Sequence, residues 1–154
     1  MRHCALLLGA IALSSCASGT VPVSQQSVSQ STITHFNASG PVIAKVTPIK
    51  AKQTQKIVIS GSGFGTMQPY NGDSDYLQIL DNTGGWSAGL SNSTQYDTVF
   101  LNVTHWENKR IDIAGFTGSY GQSYWVLHKG DSITINVWNG QTHAGPGTIQ
   151  TTVK

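Results

Sequence analysis

The chain has 154 residues, of which 10% are charged, and its formal net charge is +2. That length suits one domain, and a charge this close to zero offers no basic surface to nucleic acid. The 17 glycines and the many Ser, Thr and Asn residues between short β-branched runs indicate an all-β domain with many turns.

The N-terminus has the pattern of an export signal. A short basic start, Met1 to His3, precedes an apolar run of about ten residues, Cys4 to Leu13, which suits a signal-peptide core and is too short to cross a bilayer as a helix. Leu13-Ser14-Ser15-Cys16 then resembles the lipobox of bacterial lipoproteins. The alternative is an ordinary secretory signal with a chance cysteine near its end.

The lipoprotein resemblance implies a signal peptide over residues 1–15 and acylation of Cys16, with palmitate among the expected chains. Because Ala17 rather than an aspartate follows the cysteine, it also implies an outer-membrane location in a Gram-negative cell. Cys4 would leave with the signal and Cys16 would be modified. The mature chain would then keep no thiol for a disulfide, a metal site or a nucleophile.

Residues 16–40 predict an acylated cysteine followed by a flexible linker. They are rich in Ser, Thr, Gln and Val and contain no Asp, Glu, Lys or Arg. A chain of this kind has a root-mean-square reach of about 25–30 Å. Residues 41–154 remain for one folded domain.

Within residues 41–154, short alternating runs between turn signals predict an antiparallel β-sandwich. No capped apolar run with a period of 3.6 residues predicts a helix. A turn is predicted over Asp81–Gly85. The predicted strands are Val42–Val46, Ile57–Ser62, Tyr76–Leu80, Thr98–Thr104, Ile111–Ala114, Tyr124–Leu127, Ser132–Trp138 and Thr148–Val153.

Two segments carry a family resemblance. Lys45–Pro48 (Lys-Val-Thr-Pro), followed by Ile57–Gly65 (Ile-Val-Ile-Ser-Gly-Ser-Gly-Phe-Gly), is similar to the start of an IPT/TIG domain. Trp106, a polar turn and the apolar strand at Ile111 fit the same family. The resemblance implies an immunoglobulin-like β-sandwich with binding or structural roles and no fixed catalytic residues.

The expected core contains Ile57, Ile59, Phe64, Trp106, Trp125 and Ile133. Two connections, Thr66–Tyr76 and Gly115–Trp125, are longer and more polar than simple turns. Function is expected in these loops, since loops on a rigid scaffold often carry it.

Aromatic rings in predicted loops are the first candidate site. Tyr70, Trp86, Tyr120 and Tyr124 could form a face on which sugar rings stack, because an aromatic ring offers a flat apolar surface with a polar handle. The alternative is that such rings cover the core.

Asn71, Asp73 and Asp75 alternate oxygen ligands in the first long loop and are a candidate calcium site. The alternative is a solvated loop with Asx turns, because the glycine and glutamate of an EF-hand are missing. His128, Asp131 and Ser132 lie on one predicted turn, where a nucleophile, base and orienting group are not expected to form. Neither enzyme activity nor a cofactor is expected.

The sequence predicts a non-catalytic protein of the bacterial cell envelope, bound to the membrane through its lipid. It would act as a protein-binding or scaffolding module, facing the periplasm or the outside. The alternative is a carbohydrate-binding module that uses the loop aromatics. The expected partner is an envelope protein or a polysaccharide, and no nucleic acid is expected.

Overall fold

A computed structural model of the protein describes residues 40–90 and 98–154, which belong to one compact unit, Phe36–Lys154. The predicted signal peptide, Cys16 and the linker up to residue 39 lie outside the described residues. Eight strands are described: β1 Val42–Val46, β2 Thr54–Ser62, β3 Leu77–Asp81, β4 Trp86–Gly89, β5 Val99–Glu107, β6 Arg110–Gly118, β7 Ser132–Val137 and β8 Gly147–Thr152. Over those two ranges the chain has no helix with the length and apolarity to cross a membrane.

The strands form two antiparallel sheets of four, in the orders β1-β2-β6-β5 and β4-β3-β7-β8. The all-β prediction is therefore confirmed for the described residues, and the two sheets are consistent with a β-sandwich. The strand orders are compatible with an immunoglobulin-like arrangement, which also consists of two antiparallel sheets.

The inward-facing side chains of the strands supply the core. In β7, Ile133, Ile135 and Val137 are buried, while Thr134 and Asn136 between them are partly exposed, as the period of two requires. The predicted core residues Phe64 and Trp106 are fully buried. The same is true of Ile57, Ile59 and Ile133, whereas Trp125 is only partly buried and packs against the core from outside.

The strand predicted over Tyr124–Leu127 is wrong. The segment folds back on itself, because the Trp125 amide donates to the Gln122 carbonyl at 3.1 Å and the Gly121 amide donates to the Trp125 carbonyl at 2.8 Å. Local hydrogen bonds take the donors and acceptors that a strand would offer to a neighbour. Leu127 is buried nonetheless, and its alternation with partly exposed neighbours resembles that of a strand.

Strand β4 was not predicted. Of its four residues, Trp-Ser-Ala-Gly, only Trp86 has a high β propensity, and they form a strand because the predicted turn at Asp81–Gly85 brings them back against β3. The Asp81 carboxylate Oδ1 accepts the amides of Thr83 and Gly84, both at 2.9 Å, which holds this turn closed.

The glycine-rich end of β2 is tied to two other turns. Gly63 and Gly65 have φ values of 76° and 71°, which a side chain rarely tolerates. The Gly65 amide donates to Asn108 Oδ1 at 3.1 Å in the β5–β6 turn, and Asn139 Nδ2 donates to the Gly63 carbonyl at 2.8 Å from the β7–β8 turn. The motif therefore joins the two sheets at one end of the fold.

Candidate functional site

Two of the four aromatic candidates lie in the core. Trp86 and Tyr120 are 5% and 8% exposed, and their ring centroids are 6.0 Å apart. Phe116 stacks on Tyr120 at 4.9 Å and completes the cluster. The Tyr120 hydroxyl accepts the Leu127 amide at 3.3 Å, and burial raises the pKa of the phenol. The expectation that these rings stand free on loops is corrected: Trp86 begins a strand, and both rings fill the interior.

The other two aromatic candidates lie apart from this cluster. Tyr70 is partly buried and stacks on Trp106, with centroids 5.8 Å apart, and its hydroxyl donates to the Asp73 carbonyl. Burial raises the pKa of Tyr70 to about 12, chiefly because the phenolate would lose its hydration. Tyr124 is 59% exposed and lies beside Trp125. The four predicted rings thus occupy three environments and do not share one stacking surface.

The candidate calcium loop has a different use in the fold. Asp73 Oδ1 accepts the Leu101 amide of β5 at 3.0 Å, and Gly72 exchanges two backbone hydrogen bonds with Val103 of the same strand. The loop therefore covers part of the free edge of β5. Across residues 40–90 and 98–154, no group of three or more His, Cys, Asp or Glu side chains could hold a metal ion. Calcium binding by Asn71, Asp73 and Asp75 stays a prediction.

The outer face of the β4-β3-β7-β8 sheet was not predicted as a site, and it stands out by its chemistry. The four strands contain one charged residue, Asp81, which points inward and is 1% exposed. The outward side chains are mostly amides and hydroxyls. We name this surface the amide face; it comprises the partly exposed Leu80, Asn82 directly after β3, and the polar strand residues Gln78, Ser87, Thr134, Asn136, Thr148 and Gln150.

The side chains of the amide face form a hydrogen-bonded row across all four strands. Asn136 Nδ2 donates to Gln78 Oε1 at 3.0 Å, and the Thr148 hydroxyl donates to Asn136 Oδ1 at 2.8 Å. Gln78 Nε2 reaches the Ser87 hydroxyl at 3.3 Å. A second link joins Asn82 Nδ2 to the Thr134 hydroxyl at 2.9 Å. These contacts fix side chains that are otherwise free to rotate.

The other sheet has the opposite character. Its strands contain five charged residues: Lys45, Lys56, Glu107, Arg110 and Asp112. Arg110 binds the Asp112 carboxylate with two nitrogens, at 2.7 and 3.1 Å. Asp112 also borders a shallow depression of about 400 Å³ that includes Lys56 and Thr104. The outward charged side chains of the strands therefore all belong to the β1-β2-β6-β5 sheet.

Aromatic side chains border the amide face at the β7–β8 turn. Trp138 follows Asn136 by two residues and continues its parity, and it is partly exposed. Its amide donates to the Tyr76 carbonyl at 2.9 Å. The Tyr76 ring stacks on His143 with centroids 4.8 Å apart, and the Tyr76 hydroxyl lies 2.7 Å from His143 Nε2. The border adds apolar ring surface next to the amide row.

Sequence reasoning could have found part of this surface. The alternation of β7 already places Thr134, Asn136 and Trp138 on one side. Their neighbours Gln78 and Thr148 come from strands 58 and 12 residues away in the chain, so only the strand pairing brings them together. The available signal is the absence of charge from all outward positions of these four strands.

No family model matches the chain, and no curated protein or solved structure matches it either.

Proposed function

We propose that this chain is a lipid-anchored, non-catalytic binding module of the bacterial cell envelope, with an IPT/TIG-like sandwich that binds through the amide face. The observation that carries the proposal is the unequal distribution of charged residues between the two sheets. One outer face has five charged residues in its strands, and the other has none that point outward. A surface whose strands present no outward charge, and whose side chains hold one another in fixed rotamers, is suited to binding a ligand.

The non-catalytic part of the proposal is supported by how the buried carboxylates are used. Asp81 and Asp131 are the buried acids among the described residues. Asp81 Oδ1 accepts two amides of the β3–β4 turn, and Asp131 Oδ2 accepts the His128 amide at 2.5 Å. Both side chains close turns, which is a structural role.

The position of the glycines supports the proposed IPT/TIG relationship. Gly61 is so close to the Val42 carbonyl that a Cβ would lie 2.0 Å from that oxygen. Trp106 donates from Nε1 to the Phe64 carbonyl at 3.0 Å, so both motifs that resemble the family meet in one contact. The strand order is compatible with the immunoglobulin-like fold that the family implies.

Face binding is favoured over strand addition for the proposed partner. The edge of β5 is partly covered by Gly72 and Asp73. The edges of β1 and β8 approach each other, since a Cβ on Gly147 would lie 2.0 Å from the Pro41 carbonyl oxygen. An envelope protein that adds a strand to β1, β5 or β8 would have to displace these contacts.

The anchor is tested with the full-length chain in cells that receive an alkyne analogue of palmitate. The Cys16→Ser variant is expected to lose both the label and its place in the membrane fraction. Cys4→Ser is the matched control, because this cysteine belongs to the predicted signal peptide, and it is expected to keep both. Label that persists in Cys16→Ser would contradict acylation at this residue.

Binding is tested with full-length Cys16→Ser protein, which lacks the lipid, mixed with isolated cell envelopes and sedimented. The added pair Asn136→Ala and Thr148→Ala is expected to lower the bound fraction. The matched pair Asn102→Ala and Thr104→Ala removes an amide and a hydroxyl from the outer face of the other sheet and is expected to leave it unchanged. Equal sedimentation of both pairs would reject the amide face as the binding surface.

A further inference from the structure

The amide face has a chemistry that selects among possible ligands. An acidic or basic ligand finds no charged side chain of opposite sign in the outward positions of β3, β4, β7 and β8; at the border, Lys154 after β8 donates from its ammonium to the Thr152 hydroxyl at 3.3 Å. A protein partner is matched best by a core of aromatic, Met and Arg side chains with a polar rim, whereas the centre of this surface has one apolar side chain, Leu80, among amides and hydroxyls. An uncharged ligand rich in hydroxyl groups fits both conditions.

The row across the sheet keeps hydrogen-bonding capacity for such a ligand. Asn136 uses one of its two amide hydrogens on Gln78 and one lone pair of Oδ1 on Thr148. Gln78 likewise uses one hydrogen on Ser87 and one lone pair of Oε1 on Asn136. Each amide therefore retains one donor and one acceptor, and sugar hydroxyls both donate and accept.

The row is also long and rigid enough for a chain of sugar units. Neighbouring strands lie about 4.8 Å apart, so four strands present a row about 14 Å long, the scale of a short oligosaccharide. Because the side chains already hold one another in place, less side-chain entropy is lost when a ligand binds. At the end of the sheet, Trp138 offers a partly exposed ring on which the apolar face of a sugar can stack.

We propose that the amide face binds an uncharged polysaccharide, with the amides of Gln78 and Asn136 as the central hydrogen-bonding groups and Trp138 as a stacking platform. This inference rests on the proposed binding function of the same face. It replaces the loop aromatics as the carbohydrate site, since Trp86 and Tyr120 are buried and Tyr70 and Tyr124 share no stacking surface with them.

The test uses full-length Cys16→Ser protein in native affinity electrophoresis. The gels contain soluble uncharged glucan, soluble galactomannan or, as the acidic comparison, polygalacturonate. Retardation is expected in at least one uncharged gel and not in the acidic one. The Asn136→Ala and Thr148→Ala pair is expected to weaken the apparent affinity about tenfold, as the loss of two or three hydrogen bonds predicts. The Asn102→Ala and Thr104→Ala pair is expected to bind as the parent does.

A second variant controls for loss of binding that is caused by unfolding. Thr148 and Gln150 are both exposed on the edge strand β8, so Thr148→Ala with Gln150→Ala is expected to keep the melting temperature and still reduce retardation by a few fold. Retardation by the acidic polymer alone, by none of the polymers, or equally in all variants overturns the inference.

The envelope sedimentation assay distinguishes failure of the polysaccharide inference from failure of the proposed binding function. Sedimentation that depends on the amide face but is not reduced by excess soluble uncharged polysaccharide overturns the polysaccharide inference and leaves the binding function in place. Sedimentation that is unchanged by substitutions in the amide face overturns both the polysaccharide inference and the binding function of this face. Competition by the uncharged polymer supports both.

Discussion

At the level of single residues, the fold depends most visibly on Phe64 and Gly65. The Phe64 carbonyl accepts two donors, Trp106 Nε1 at 3.0 Å and the Gly140 amide at 3.0 Å. The neighbouring Gly65 has a positive φ and is buried, so the chain can turn there while Asn139 packs directly above it. A Cβ at this position would lie 2.6 Å from Asn139 Oδ1.

Replacing Gly65 with alanine is expected to destabilise the domain by about 3 kcal/mol. The left-handed backbone costs an alanine about 1 kcal/mol, and displacement of Asn139 adds the loss of its hydrogen bonds. Those bonds are the donation to the Gly63 carbonyl and the acceptance of the Gln141 and Thr142 amides. Urea unfolding at constant m measures the difference.

Gly85 is the matched control for this substitution. Its φ is 70°, almost equal to that of Gly65, but nothing lies within 4 Å of an added Cβ. Gly85→Ala is therefore expected to cost only the backbone term, about 1 kcal/mol. Equal losses at the two positions would show that the contact with Asn139 contributes nothing.

At the level of strands and loops, the cluster of Trp86, Phe116 and Tyr120 fixes the position of β4. Trp86 is the first residue of β4, and its ring meets Phe116 of β6 at 6.2 Å and Tyr120 of the following loop at 6.0 Å. The cluster thus connects the two sheets through a strand of only four residues. Packing across the sheets, more than local propensity, stabilises this strand.

Truncation of these rings separates a core role from a ligand role. Trp86→Ala is expected to lower the free energy of unfolding by about 3–5 kcal/mol, as loss of a large buried ring does. Tyr124→Ala is expected to change it by less than about 1 kcal/mol, because that side chain is 59% exposed. Chemical denaturation of both variants gives the comparison; a mild effect of Trp86→Ala would place the ring outside the core.

Sequence reasoning found β7 from its strong alternation and β1 from its short β-branched run before Pro48. β1 was predicted with its observed bounds, and β7 ends one residue earlier than predicted, at Val137. β4 was missed because its stability comes from the hairpin and from Phe116, which are not local in sequence. The false strand at Tyr124–Leu127 has apolar residues, but its amides and carbonyls bond within the loop.

At the level of the whole molecule, the outer faces of the two sheets differ in their charged residues. The charged side chains of the strands lie on the outer face of β1-β2-β6-β5, and the other sheet presents the amide face. The aromatic candidates could be named from the sequence, but their burial could not, because it depends on which strands face each other. The amide row could not be predicted from the sequence either, since Gln78 and Asn136 meet only through the pairing of β3 with β7.

Two phenols, the partly buried Tyr70 and the buried Tyr120, lie at opposite ends of the sandwich and link the stability of the whole domain to alkaline pH. Tyr70 packs on Trp106 near the end of β5, and Tyr120 follows the end of β6. Burial is the main cause of the raised pKa of both groups, which reaches about 12 for Tyr70 from an ordinary value of 10.0. The unfolded chain therefore releases these protons at lower pH than the folded chain does.

The sign of the effect follows from this difference. Between pH 10 and about pH 12 the unfolded state binds fewer protons than the folded state, so the free energy of unfolding falls as pH rises through that window, and the contribution of Tyr70 is complete below pH 10. Urea midpoints measured from about pH 9 to about pH 12 are expected to fall more steeply for the parent protein than for Tyr70→Phe. The pair Tyr70→Phe and Tyr120→Phe is expected to give the shallowest decline, because neither phenol can then ionise on unfolding. Parallel declines in all three proteins would mean that the two phenols ionise as readily in the folded domain as in the unfolded chain.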